Sequence, residues 1–105
     1  MSGHLQMTLP TLKILRAFLE DVDGEHYGLE LARSARLPSG TIYPILARLE
    51  KHGVVTASWE DIDESLEGRR RRRYYALTGE GARVARRALA ELQPARRAAS
   101  RPEPA

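Results

Sequence analysis

The chain has 105 residues, 17 Lys plus Arg, 14 Asp plus Glu and no cysteine. Its length favours one domain with a small core, which a second copy would help to stabilise. The missing cysteine excludes a disulfide frame, a thiol nucleophile and a Cys-type zinc site, and it suits a reducing, cytoplasmic setting. His4, His26 and His52 are too scattered for metal-ligand spacing, so neither metal nor cofactor is expected. No apolar run approaches the roughly 18–20 residues of a membrane span, and the first residues lack a leader pattern. Membrane-spanning classes and most enzyme classes are thereby disfavoured. Gly79-Glu80-Gly81 is too short for a phosphate-binding loop and reads as a helix start.

The net charge of +3 hides a strong asymmetry. Residues 1–53 balance six bases against six acids. Residues 54–68 hold five acids and no base, whereas residues 69–105 hold eleven Arg against three Glu. Arg69 to Arg73 are consecutive. Such a block suits a polyanion, and guanidinium forks suit phosphate and guanine; a solvated strand neutralised by the acidic segment is the plainer alternative.

In chain order, residues 8–21 place Leu12, Leu15, Ala17, Phe18 and Leu19 at helical spacing, with Thr8 or Thr11 as cap and Pro10 in the first turn. Asp21 to Gly24 make a loop. A second short helix fits residues 27–35, with Leu31, Ala32 and Ala35 inward, and residues 36–40 break it. A third helix runs to His52 on the stripe Ile42, Ile45, Leu46 and Leu49, and Gly53 closes it. Pro44 demands either a late start or a distorted first turn. Residues 54–59 and 71–77 read as two strands around an acidic, solvated tip at 60–67 and Gly68. Trp59, Tyr75 and Phe18 are expected in the core. Thr78 caps a fourth helix over 79–92, which Pro94 ends. The plan is therefore a flexible terminus at 1–7, a helix-and-hairpin domain at 8–78, a last helix at 79–93 and a disordered tail at 94–105.

The order α-α-α-β-β-α is mainly helical with a small β-hairpin, the winged helix-turn-helix fold. In that fold the third helix enters the major groove. Ser39, Gly40, Thr41 and Tyr43 stand at its start, where hydroxyls and a close backbone can meet phosphate or base edges. Arg48 and Lys51 lie off the apolar stripe and are further candidates for DNA contact. Arg69, Arg70, Arg71 and Arg72 lie on the wing, within reach of the flanking minor groove. The stripe Ala85, Leu89 and Leu92 either closes the monomer core or pairs two copies, and small size favours the second.

Two strings sharpen this. Gly40-Thr41-Ile42-Tyr43-Pro44 continues through Leu46, Arg48 and Leu49 to Gly53-Val54-Val55, and Tyr74-Tyr75-Ala76-Leu77-Thr78 leads to Gly81. Together with Gly28-Leu29-Glu30-Leu31 they resemble the PadR family of bacterial transcriptional regulators, over roughly residues 9–92. With only one C-terminal helix, the chain is similar to the short subgroup. The resemblance implies a winged-helix repressor that binds a palindromic operator in double-stranded DNA as a homodimer. It implies dimerisation through the last helix, with Leu12 and Leu15 of the first helix joining in. Some members respond to small-molecule inducers; none is readable here. The alternative is a winged-helix protein-interaction module without specific DNA recognition.

Overall fold

The computed structural model describes residues 5–100, with side chains described over 5–92. Helices α1 (Leu9–Leu19), α2 (Gly28–Ala35) and α3 (Ser39–Lys51) precede strand β2 (Val55–Trp59), helix α4 (Glu64–Glu67), strand β3 (Arg73–Leu77) and helix α5 (Gly79–Ser100). A two-residue strand, β1 (His26–Tyr27), lies between α1 and α2.

The sheet is antiparallel in the order β1-β3-β2, so the expected hairpin gains a third strand. His26 pairs with Tyr75 and Tyr27 with Tyr74. Two residues are too few to show alternation, which hides β1 in the sequence. Across the hairpin, Val55 faces Leu77, Ala57 faces Tyr75 and Trp59 faces Arg73. These pairs share one face, which passes from core to solvent along the strand. Val55 and Tyr75 are buried, but Trp59 is 60% exposed. The strand simply outruns the helices beneath it, so Trp59 is a wing residue and not a core one.

The core joins Ile14, Leu15 and Phe18 of α1, Leu31 of α2 and Ile42, Leu46 and Leu49 of α3. The four predicted positions of α3 are all buried, whereas on α1 the unassigned Ile14 is buried and Leu12 is only half-buried. Thr8 caps α1 by accepting from the Thr11 N–H at 3.3 Å. Arg36 ends α2 in the left-handed region at φ 57°, and Leu37 N–H donates to the Ala32 carbonyl at 2.9 Å. The α3 backbone runs unbroken through Pro44, which is exposed; its missing N–H leaves only the carbonyl of exposed Gly40 to solvent.

Thr78 fastens α5 to the sheet. Its hydroxyl donates to the Gly53 carbonyl at 2.7 Å and accepts from the Gly81 N–H at 2.8 Å. Any Cβ on Gly81 would collide with the Val54 carbonyl, so glycine is what lets α5 start against this corner. The α5 backbone then continues past Pro94 to Ser100, where a break and a disordered tail are expected from sequence. Proline removes one N–H, while the Ala- and Arg-rich residues 95–99 favour helix. Residues 1–4 and 101–105 lie outside the described residues. Of the expected flexible start, Leu5 packs partly against the core. No helix among the described residues is long and apolar enough to cross a membrane.

Candidate nucleic-acid interface

Burying Ile42, Ile45, Leu46 and Leu49 turns the opposite side of α3 to solvent. By helical spacing Gly40, Pro44, Ala47 and Lys51 lie along its outward line, and all four are exposed. Pro44 and Ala47 are additions to the predicted set. Small residues along the line keep it low enough to approach a surface closely. Tyr43 flanks it on one side, 44% exposed; half-buried Thr41 and exposed Arg48 flank it on the other. Ser39 is exposed in the first turn.

The Tyr43 ring rests on Gly28. A Cβ there would stand 2.6 Å from the Tyr43 hydroxyl and 2.5 Å from Cε1. Those atoms are the far end of a side chain, so the ring can swing away without disturbing the core. Gly28→Ala is therefore expected to change the melting temperature little while displacing the Tyr43 ring. Thermal melting and the tyrosine ring signals in NMR of the same preparation check this.

The wing is internally braced. Asp63 caps α4 by accepting from the Ser65 N–H at 3.0 Å, and Gly68 closes it at φ 68°. The acidic tip thus holds a helical turn where the sequence suggests only a mobile loop. Glu60 accepts from both terminal nitrogens of Arg69, at 2.7 and 2.9 Å. The Arg71 Nε–H donates to the Ile62 carbonyl at 3.1 Å. Arg72 lies over the Tyr27 ring at 4.9 Å. Arg73 lies over the Trp59 ring at 4.8 Å and approaches Glu50 of α3 at 3.7 Å, which sets the wing root beside α3. Arg70 is exposed, and among the described residues no hydrogen bond or ion pair engages its side chain. The four wing arginines singled out by sequence are therefore not equivalent. Arg70 is exposed and unengaged, exposed Arg72 rests on the Tyr27 ring, exposed Arg71 is tethered to the Ile62 carbonyl, and the Arg69 guanidinium is already held by Glu60. Glu60 itself is missed by a reading that treats the acids as one solvated run.

Charge follows the bracing. The Arg69 hydrogen bonds hold the Glu60 carboxyl down at about 2, below its ordinary 4.5, and the carboxylate in turn raises Arg69. Burial pushes the Tyr75 phenol up. Because the folded value for Glu60 is depressed, the clasp contributes its full stability above the unfolded value near 4.5 and loses it as pH falls toward 2. Arg69 guanidinium signals followed by NMR are expected to stay fixed from pH 7 to about 4 and move only below that. Movement at pH 5–6 would contradict the pairing.

The predicted pairing residues lie where α1 packs on α5, but they do not share one open surface. Leu15 and Ala85 are fully buried inside this chain and have no surface for a second copy. Leu12, Leu89 and Leu92 are half-buried. A groove of about 280 Å³ runs beside α5, with Leu5, Met7, Val84 and Ala88 as its apolar lining. Among the described residues no cluster of three or more His, Cys, Asp or Glu could hold a metal ion.

A family model described as "Transcriptional regulator PadR-like family" matches residues 19–87. The chain belongs to the PadR-like family. The match spans α2, α3 and the wing, so the PadR-like assignment rests on the elements that build this interface. A PadR family regulator from hypervirulent Clostridium difficile R20291 is 25% identical, with a TM-score of 0.70 over 87% of this chain and 94% of that one. The PcaV regulator from Streptomyces coelicolor, solved with its natural ligand, is 22% identical with a TM-score of 0.71, over 88% of this chain and 60% of that one. A MarR family regulator from Rhodococcus sp. RHA1 is 22% identical with a TM-score of 0.72, over 93% of this chain and 64% of that one. This chain thus spans less than two thirds of the last two, and their likeness concerns the winged-helix fold. A search of curated proteins finds no match. The PadR-like chain is a transcriptional regulator of the winged-helix type.

Proposed function

We propose that this PadR-like chain is a dimeric, sequence-specific repressor that reads a palindromic operator. One observation carries the reading. The low outward line of α3, flanked by Tyr43 and Thr41, continues through the Glu50–Arg73 contact into a wing with exposed arginines. A helix in the major groove with an arginine arm on the flanking backbone uses both parts of that surface. Ser39, Thr41 and Tyr43 supply hydroxyls for phosphate or base edges, and Arg48 and Lys51 supply charge further along the helix. Two such units on one duplex need a two-fold axis. Exposed Met7 and half-buried Leu12, Val84, Ala88, Leu89 and Leu92 are the apolar positions we assign to it, beside a groove that Glu80, Arg83, Arg87 and Glu91 also line.

The test is protection mapping of the DNA upstream of the chain's own gene, followed by transcription from that promoter. A protected palindrome, with half-sites about one helical turn or a multiple apart, and reduced transcript are expected. Weak, equal protection of any duplex, with tight capture of a protein partner, would favour an interaction module instead.

A further inference from the structure

Glu60 is the first residue beyond β2, at the neck of the wing tip. Its carboxylate accepts from Arg69 through both oxygens, from the Arg72 backbone N–H at 3.2 Å and from the Tyr74 hydroxyl at 3.5 Å. Its own N–H donates to the Arg72 carbonyl at 2.8 Å, one rung beyond the Trp59 pair. Tyr74 meets Tyr27 edge-on at 5.8 Å, and Arg72 covers the same Tyr27 ring. One carboxylate therefore gathers the neck of the tip, the Arg69 guanidinium and the strand that presents Arg72. We propose that Glu60 is a positioning residue for DNA recognition, holding Arg69 as a strut so that unengaged Arg70, and Arg72 on its Tyr27 platform, are presented to the duplex. This rests on the DNA-binding reading above.

The claim runs against simple electrostatics. A carboxylate beside a phosphate backbone repels it, so its removal ought to tighten binding. The geometry argues otherwise. Glu60 is only 14% exposed, and a forked Arg–carboxylate pair is rigid as well as strong. Releasing Arg69 to a phosphate would strand a half-buried carboxylate, which is costly. The carboxylate is charged throughout the neutral range, so the pair needs no change of protonation to form.

The experiment is a fluorescence titration of the 105-residue chain on its protected duplex at several salt concentrations. The variants are Glu60→Gln, Arg69→Ala, both together, and Glu67→Gln as an exposed control with the same charge change. Glu60→Gln is expected to bind about five- to tenfold more weakly despite its added positive charge, with a salt slope shallower by about one. Arg69→Ala is expected to match it, and the double variant to be no weaker than either single one, because both changes remove the same strut. Glu67→Gln is expected to bind as well as wild type or more tightly. Glu60→Gln binding more tightly than wild type, or Glu60→Gln and Arg69→Ala moving in opposite directions, would overturn the strut alone. Wild type that binds no duplex would overturn the DNA reading and the strut with it.

Discussion

Phe18→Ala is expected to destabilise the chain by about 3–5 kcal/mol, the usual range for emptying a large buried aromatic site. Phe18 is fully buried, and its ring meets the His26 ring edge-on at 5.4 Å. It sits on α1, which packs against both α2 and α5. Truncation would therefore open a cavity where the recognition motif meets the last helix. Whole domains are stable by only about 5–15 kcal/mol, so the loss is a large share of the total. A lowered urea midpoint with an unchanged slope is the expected signature. A change below about 1 kcal/mol would mean that Phe18 does not anchor this core.

Replacing Thr41 and Tyr43 together by Ala is expected to lower affinity for the protected duplex about 10- to 100-fold, while random duplex is affected far less. Both side chains flank the outward line of α3, and neither belongs to the core cluster. Their loss removes hydroxyls and an aromatic face without emptying the interior. Arg70→Ala is the contrasting variant. An exposed arginine outside the wing's bracing should contribute chiefly by charge, so both duplexes should weaken evenly and the salt slope should fall by about one. Parallel titrations on both duplexes separate the two patterns. Equal loss on both duplexes for the α3 variant would remove the recognition role from α3.

The outline of the fold was legible wherever a single face is buried. Ile42, Ile45, Leu46 and Leu49 recur at helical spacing because α3 has one wet side, and that side then names the interface. Thr78 was legible as a cap for the same local reason. What stayed hidden is non-local. Periodicity marks Leu15 and Ala85 as apolar positions but cannot say which surface buries them, and the core of this chain claims both. Trp59 alternates correctly with Val55 and Ala57, yet the strand runs past the helices that would cover it. The acidic and basic blocks look like separate solvated runs, but Glu60 and Arg69, nine residues apart, close on each other across the wing tip. Only a fold that returns the chain on itself makes that pairing visible, and with it the difference between Arg69 and Arg70.

The most direct measurement is the affinity of the 105-residue chain for its protected duplex and for a random duplex across a range of salt. A helix in the major groove with an arginine wing requires tight binding to the protected duplex, at least about 10³-fold above random. Log affinity should fall linearly with log salt, by about 0.9 for each phosphate neutralised. Equal affinity for the two duplexes, or affinity indifferent to salt, would contradict the account.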